Sequence, residues 1–483
     1  MTTTRRLPLT ALAAAAALLL SACASPGPDK APIAQTTAQQ LDLAPAPTAS
    51  VNTQWWTTLG DPQLDALITQ ALQGSPSLAV ARARTDRAIA IAQATKAASG
   101  PQAVFNANVL RQRFSANGIY PAPLGGNVWN IGTVEGDFSW SPDFFGKHSA
   151  EDDAALGQAR AAQADAAAAE STLALQVARS YVGLARLLAQ RDVAQRTLEQ
   201  RQEIAKITRQ RVDAGLDTRV ERTQADAALP DTRTLIESLD EQAMLARRQI
   251  AALTGQAPGA LAALSPRLSD LTLQAQPDTL GADLLGRRPD VVAARWRVEA
   301  ATQGVKAARA EFYPDINLSA FVGLNALGTS NVLSTVFKSS SRQFGITPAL
   351  RLPIFDGGRL RAQLGGKRAD LDTAIAQYNA AVLDAVKEAG DAIGSGQSLT
   401  RQQALQAETL AGTEKAFDLA QQRYHAGLGN YLVVLNAETQ VLAQRRAAVD
   451  IRARQFDTYL ALMKALGGGW ADNTDTIQHT ASH

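Results

Sequence analysis

The side chains that most often carry chemistry are scarce in this chain. Its 483 residues include one cysteine, Cys23, and four histidines. The histidines lie apart without metal-ligand spacing, so we interpret them as solvated or chain-end residues: His148, His425, His479 and His483. The sequence shows no phosphate-binding loop, nucleophile with a neighbouring base or pair of catalytic carboxylates. It therefore predicts no enzyme, no metal site and no bound cofactor.

Cys23 is the one reactive side chain with a recognisable setting. Arg5 and Arg6 precede an apolar run from Leu7 to Leu20 and small residues up to Cys23, which is the layout of a secretory signal peptide. The run is too short and too near the terminus to be a typical membrane-spanning helix. Its end, "LSAC", resembles the bacterial lipobox, which implies a covalent lipid on Cys23 and an outer-membrane destination. A plain signal peptide with a chance cysteine is the alternative.

Composition and charge exclude further classes of protein. The 47 basic residues nearly balance the 45 acidic ones, and no basic block is interleaved with aromatic residues, so we expect no nucleic-acid partner. The chain is 46% hydrophobic but only 5% aromatic, and alanine supplies much of the apolar content. Because alanine favours helices, the composition indicates long helices more than dense globular cores.

The chain repeats itself. "RVDAGLDT", Arg211 to Thr218, returns about 212 residues later as "RYHAGLGN", Arg423 to Asn430. The stretch from Ser75 to Pro101 similarly matches Arg288 to Pro314. Several matches at nearly one offset indicate a tandem duplication.

Each half has the same predicted order of elements: a helix, two strands, a very long helix, the AGL turn and a second long helix. Apolar residues alternate in "DINLSAFVGL" and "QFGITPALRL", and less cleanly in "QAVFNANVLR" and "VWNIGTVEGDFSW". Alternating runs of about ten residues are typical of a membrane-spanning β-barrel. A soluble amphipathic sheet is the alternative.

The long helices carry coiled-coil spacing. No proline interrupts the pattern from about Lys147 to Val212, which predicts a helix of roughly 100 Å. Apolar residues recur every seventh position in the last helix, at Leu435, Leu442, Val449, Phe456 and Met463. Arg191 and Arg201 fall on the seam of the first long helix, so we expect it to face water or a polar neighbour. The acidic residues 151–153 are expected to stabilise that helix from its first turn.

Four strands cannot close a barrel, and open edges would leave backbone N–H and C=O groups unpaired in lipid. Several chains must therefore share one barrel, and a symmetric ring is the simplest arrangement.

Specific motifs point to one family. The start "WWTTLGDPQLDAL", "GRRPDVVAAR", "AEFYPDI", "LPIFDGGR" and the two AGL turns resemble the outer membrane factors of TolC/OprM type, in their NodT-like lipoprotein branch. The resemblance implies an α+β membrane protein: a homotrimer with a 12-stranded outer-membrane β-barrel continuous with a 12-helix periplasmic α-barrel.

The resemblance also implies a division of the chain. Residues 1–22 would be the signal peptide, and residues 23–54 the lipidated cysteine with an extended tether. The two repeats would occupy residues 55–254 and 282–468, joined by an equatorial connection at 255–281. Residues 469–483 would form a flexible tail.

Functional residues follow from the same resemblance. The AGL turns would be hairpin tips that dock a periplasmic adaptor: Ala214, Gly215 and Leu216 in the first, and Ala426, Gly427 and Leu428 in the second. Leu432 and Asn436 match the positions that form a gate in the family by narrowing the periplasmic end of the channel. We also expect positive φ at both tip glycines.

The implied function is an outer-membrane exit duct that passively exports drugs or other small toxic compounds. The cargo would arrive from an inner-membrane pump, of RND type, through the adaptor. The alternatives are a periplasmic adaptor, an envelope-spanning coiled-coil lipoprotein and, among channels, a type I protein secretion duct. An adaptor would carry one hairpin instead of two, and a structural rod would not need alternating strands.

Overall fold

A computed structural model describes residues 25–28, 30–41, 43, 52–275, 281, 284–468 and 470. The predicted signal peptide and Cys23 lie outside these residues.

The two halves of the chain share the predicted order of helices, two strands and two long helices, and the second half adds a short helix between its strands. In the first half these are α1 Pro62–Gly74, α2 Pro76–Ser99, β1 Gln102–Arg113, β2 Val128–Trp140, α3 Lys147–Asp213 and α4 Arg219–Leu253. In the second half they are α5 Leu284–Arg287, α6 Pro289–Ala310, β3 Asp315–Gly328, α7 Val332–Val336, β4 Arg342–Arg351, α8 Arg359–His425 and α9 Tyr431–Ala465. The prediction of an α+β fold with four strands and long helical hairpins is confirmed.

The hairpins of the two halves have equal lengths. Helices α3 and α8 each contain 67 residues, and α4 and α9 each contain 35. At 1.5 Å per residue, α3 and α8 are each about 100 Å long. In the described part of the chain, no helix has the length and hydropathy needed to cross a membrane.

Both long helices begin with the same local structure. Gly146 and Gly358, at φ 73° and 90°, precede α3 and α8. Asp143 accepts a hydrogen bond from the backbone N–H of Ser149, and Asp356 accepts one from that of Leu360. The sequence-based expectation for residues 151–153 was wrong, because the first turn of α3 contains no acidic residue. The carboxylate that accepts hydrogen bonds from the free backbone N–H groups at the helix start comes from the preceding loop.

The four strands form one antiparallel sheet in the order β1-β2-β3-β4. Its register places apolar residues together on one surface, here called the apolar face: Ala103, Phe105, Ala107, Val109, Val134, Gly136, Phe138, Trp140, Ile316, Leu318, Ala320, Val322, Leu324, Phe344, Ile346, Pro348 and Leu350.

The opposite surface, the polar face, carries hydrogen-bonded side chains. Asn106 donates to Asp137 at 2.6 Å, and Gln343 donates to Glu135 at 3.0 Å. One surface of the sheet thus suits lipid and the other suits water.

The largest core lies at mid-length of the hairpins. Trp55 and Leu59 are buried there with Tyr181 of α3 and Tyr459 of α9. Helix α1 begins with Asp61 as its N-cap and Pro62 in its first turn. The connection between the halves joins this core through the buried side chains of Leu268 and Leu271. Trp470, within the predicted tail, packs with Trp296 against a cluster of Ala164, Val292 and Ala293.

The segment that follows the predicted signal peptide lies along α8. The Ile33 backbone N–H donates to Asp372, and the Thr36 N–H donates to Asn379 at 2.7 Å. The Pro28 carbonyl accepts from Arg368. Earlier residues of the segment therefore lie nearer the start of α8, which adjoins the strands.

Close packing of α3 on α6 depends on Gly157. A Cβ atom at this position would lie 3.0 Å from the Cβ of Ala300 and 3.2 Å from its Cα. Gly183, on the same helix, has open space instead. We expect Gly157→Val to destabilise the protein by about 1–3 kcal/mol through overpacking, and Gly183→Val to have a much smaller effect. Thermal unfolding followed by helical circular dichroism measures both, and equal melting temperatures would contradict the packing argument.

Candidate functional site: the hairpin tips and the gate helix

The two AGL turns close the long hairpins in the same way. Gly215 and Gly427 have φ of 72° and 75°, as predicted. The amide after each glycine, in Leu216 and Leu428, bonds back to the helix at 2.8 Å. Since only glycine adopts positive φ at little cost, these positions fix the shape of the turns.

Both turns present apolar side chains to solvent. Leu216 is 66% exposed and Leu428 is 71% exposed. The remaining predicted docking residues, Ala214, Gly215, Ala426 and Gly427, are also exposed. The structure thus places all six in accessible positions, while their docking role stays a prediction.

A polar cluster joins the two tips. Tyr424, near the end of α8, donates its hydroxyl to Asp217 of the first turn at 2.7 Å. Its hydroxyl also lies 2.9 Å from that of Thr208, and its ring lies 4.8 Å from the guanidinium carbon of Arg211. Arg211 pairs in turn with Asp217 at 2.9 Å. We call these four residues the tip cluster.

The tip cluster favours an ionised Asp217. The hydrogen bond from Arg211 lowers the pKa of Asp217 below its ordinary value of 3.8, and the Tyr424 hydroxyl acts in the same direction. Burial raises the pKa of Tyr424 to about 12, so this side chain remains a neutral donor. The cluster is therefore fully formed at neutral pH.

A buried ion pair holds α9 against the first hairpin. Arg201 of α3 donates to Glu438 of α9 at 2.9 Å, and to the hydroxyl of Thr232 of α4 at 2.8 Å. The two charged side chains are only 9% and 4% exposed. Burial raises the pKa of Glu438, although the Arg201 charge opposes this shift. The polar neighbour predicted for Arg201 is thus Glu438.

The buried stripe of α9 near its tip differs from the predicted heptad positions. Tyr431, Val434, Glu438 and Val441 are buried there, whereas Leu435 and Leu442 are only partly buried. Farther along, Phe456 and Met463 are buried as predicted. Contact with α3 through the Arg201–Glu438 pair selects this face of α9.

The predicted gate residues lie away from that stripe. Leu432 is 50% exposed, and Asn436, one helical turn later, is also exposed. Their side chains share a face of α9 that the hairpins of one chain leave uncovered. This position suits a constriction, but their gating role stays a prediction.

Sequence reasoning missed the tip cluster and the Glu438 partner. A signal was present in the unequal residues of the repeat, since Tyr424 stands opposite Val212 and Asp217 stands opposite Gly429 in the matched turns. One repeat has a hydroxyl where the other has none, and the other has a carboxylate where the first has none, so the two groups can form a hydrogen bond with each other.

Comparison with known proteins agrees with this architecture. The chain matches the outer membrane efflux protein family over residues 67–256 and again over 280–468. It is 40% identical over 365 residues to the fusaric acid resistance protein FusA of Burkholderia cepacia, covering 74% of this chain and 68% of that protein. It is 34% identical to the multidrug resistance outer membrane protein MdtQ of Escherichia coli O157:H7, covering 94% and 96%.

Solved structures agree as well. The outer membrane protein VceC of Vibrio cholerae superposes with a TM-score of 0.82 at 35% identity, over 86% of this chain and 99% of that one. The outer-membrane channel OprN also gives 0.82, at 29% identity, over 92% and 99%. Since the family match spans most of the sequence, this chain belongs to the outer membrane efflux protein family.

Proposed function

We propose that three copies of this chain form an exit duct across the outer membrane and into the periplasm. The observation that carries this proposal is the open sheet with one apolar and one polar face. Each chain ends the sheet at β1 and β4, whose outer backbone groups need partners in lipid. Pairing β4 of one copy with β1 of the next closes a barrel of twelve strands, with the polar face lining the channel.

The duct would receive its cargo from other proteins. We propose that a periplasmic adaptor docks at the tips and links the duct to an inner-membrane pump, of RND type, which supplies the energy. Relatives named for multidrug and fusaric acid resistance support small toxic compounds as cargo. The family is one of efflux channels and not of enzymes.

The other functions have less support. The two hairpins and the two-faced sheet argue against both a periplasmic adaptor and a structural rod. Protein secretion remains a second use of such a duct, but the relatives named above are resistance proteins.

Reconstitution of the purified protein in planar bilayers tests the proposal. We expect trimers by native mass spectrometry and discrete single-channel conductance steps. A monomer, or a trimer that never conducts, would overturn it. Failure to restore drug resistance to an efflux-deficient host, together with restored secretion of a protein substrate, would favour the secretion duct.

Gate variants test the role of α9. We propose that Leu432 forms an apolar ring at the threefold axis and Asn436 a neutral polar ring beside it. Leu432→Ala and Asn436→Ala should each raise conductance by widening the ring, and Asn436→Asp should raise cation preference by adding charge. Conductance and reversal potential in bilayers measure these effects. Unchanged values in all three variants would place the constriction elsewhere.

The tip cluster should restrain opening of the proposed gate, because it ties the second hairpin tip to the first. Tyr424→Phe removes hydrogen bonds worth about 1 kcal/mol each while keeping the ring over Arg211, so conductance should rise. Asp217 has a lowered pKa, so its stabilisation is present above its ordinary pKa and lost as pH falls through the lowered value. The difference in conductance between the native protein and Tyr424→Phe should thus persist from neutral pH to about pH 4 and shrink below it. Loss of that difference already near neutral pH would contradict this account.

Docking at the tips can be separated from folding. Leu216→Asp and Leu428→Asp place charge on exposed positions without altering the turn glycines, so we expect weaker adaptor binding and greater drug sensitivity with trimer levels unchanged. Leu405→Asp is a matched control, because Leu405 is also 66% exposed but lies far along the α8 shaft. Crosslinking and co-purification of the host's periplasmic adaptors measure binding. Equal binding by the tip variants and the control would argue against docking at the tips.

We propose that Cys23 carries the lipid anchor. Pro28 contacts Arg368, which lies about 14 Å along α8 from its start near the strands. The five residues back to Cys23 can span roughly 17 Å, enough to reach the membrane edge. This path supports the anchor suggested by the lipobox-like ending.

Substitution of Cys23 tests the anchor. Cys23→Ser should abolish incorporation of labelled palmitate and processing by signal peptidase II, because serine offers no thiol. The barrel should still insert, and bilayer conductance of the purified variant serves as the control. Palmitate label that persists on the variant would refute the assignment.

A further inference from the structure

The outward ends of the strands carry positive charge without any negative charge. Residues 107–134 and 322–346 include the loops between β1 and β2 and between β3 and β4. These two ranges contain no aspartate and no glutamate. They contain four cationic residues: Arg111, Arg113, Lys338 and Arg342. The opposite strand ends, which lead into the long helices, carry both signs. The charge asymmetry is therefore confined to the end that faces away from the periplasm.

Register places three of these cations on the apolar face. Arg111 pairs with Asn130 and Arg113 with Val128 at the end of β1, and both continue the row of Ala107 and Val109. Arg342 pairs with Leu324 and begins the row of Phe344 and Ile346. In the proposed barrel this face is directed to lipid, so the cations border the apolar band at its outer rim.

Helix α7 adds apolar side chains at the same level. Val332 and Val336 are buried against Val134, Leu324 and Ala326, which lie on the apolar face. Leu333 and Phe337, on the next side of the helix, are 59% and 69% exposed. A membrane-spanning strand needs about ten residues, and ten residues counted from Ile316 reach Asn325. Helix α7 therefore lies at the outer boundary of the hydrocarbon, outside the barrel wall.

Closure of the barrel brings the cations together. Arg111 and Arg113 lie on β1 and Arg342 on β4, which are the two edges of the sheet. When β4 of one copy pairs with β1 of the next, these like charges meet on the lipid side of each seam. Adjacent like charges are unfavourable unless an anion neutralises them.

We propose that this rim, formed by Arg111, Arg113, Lys338 and Arg342 with Leu333 and Phe337 of α7, binds the phosphate groups and acyl chains of an outer-leaflet glycolipid of the lipopolysaccharide type. The inference rests on the proposed barrel. The guanidinium and ammonium groups contact the phosphates, and Leu333 and Phe337 enter the acyl layer beneath them. The rim takes the place of the divalent cations that otherwise neutralise neighbouring phosphates.

Lipid binding to the full-length trimer tests the inference. The probe is purified lipopolysaccharide, added to the trimer in nanodiscs of zwitterionic phospholipid and counted by native mass spectrometry, with chelator present. We expect bound glycolipid on the native trimer, and at least about tenfold weaker binding after Arg111→Gln, Lys338→Gln and Arg342→Gln are combined. The matched control neutralises three cations at the periplasmic end, Lys147, Arg351 and Arg359, and should bind as the native trimer does.

Further arms separate the outcomes. Arg111→Lys with Arg342→Lys keeps the charge and should retain binding. Lys338 lies in a loop, so Lys338→Gln should give a milder loss of binding even if the triple variant fails to assemble.

Native-level binding by the triple variant would overturn the inference, as would equal binding of phosphatidylglycerol or of dephosphorylated lipopolysaccharide. Loss of the trimer on substituting Leu333 and Phe337 by serine, with glycolipid binding of the remaining trimer unchanged, would assign α7 to subunit contact and also overturn it. Bilayer conductance on the same samples shows separately whether the channel itself forms.

Discussion

The backbone of the four-stranded sheet imposes the requirement on which the rest of the structure depends. In lipid, every N–H and C=O group must be paired within the protein, and a four-stranded sheet leaves two edges open. The proposed association of three copies would satisfy both edges. The same association would bring the helices around a common axis, because each strand is joined to a helix at its inner end. A closed wall in the membrane and a closed wall in the periplasm thus have one cause.

Duplication supplies the repeated geometry, and small differences between the repeats supply the function-specific contacts. Both long helices start after a glycine of positive φ and receive a carboxylate from the preceding loop. Both turns close around a glycine of the same conformation. The tip cluster breaks this symmetry, because Tyr424 in one turn binds Asp217 in the other. Because the two turns carry different residues, this hydrogen bond holds the second hairpin to the first without an equivalent bond in the opposite direction.

Polar contacts decide how the helices face one another. Helices this long, with little aromatic content, offer many similar apolar surfaces, so a coiled coil could rotate at modest cost. The Arg201–Glu438 pair removes that freedom, since a displaced partner would leave a buried charge alone. Fixing this face of α9 also fixes the opposite face, where Leu432 and Asn436 lie. A contact remote from the axis thereby positions the residues proposed to narrow the channel.

The sequence by itself determined the order of elements, the four strands, the long hairpins and the two glycine turns. These features depend on local periodicity, proline placement and glycine conformation, which neighbouring residues encode. Tertiary structure alone decided the pairing of Tyr424 with Asp217 and of Arg201 with Glu438, because the partners are separated by about 200 residues or more. It also decided the buried face of α9 at the tip, where Glu438 is buried and the predicted Leu435 is not. A heptad pattern shows that a helix packs, but the partner helix determines which of several apolar faces it uses, since burial energy alone distinguishes them weakly.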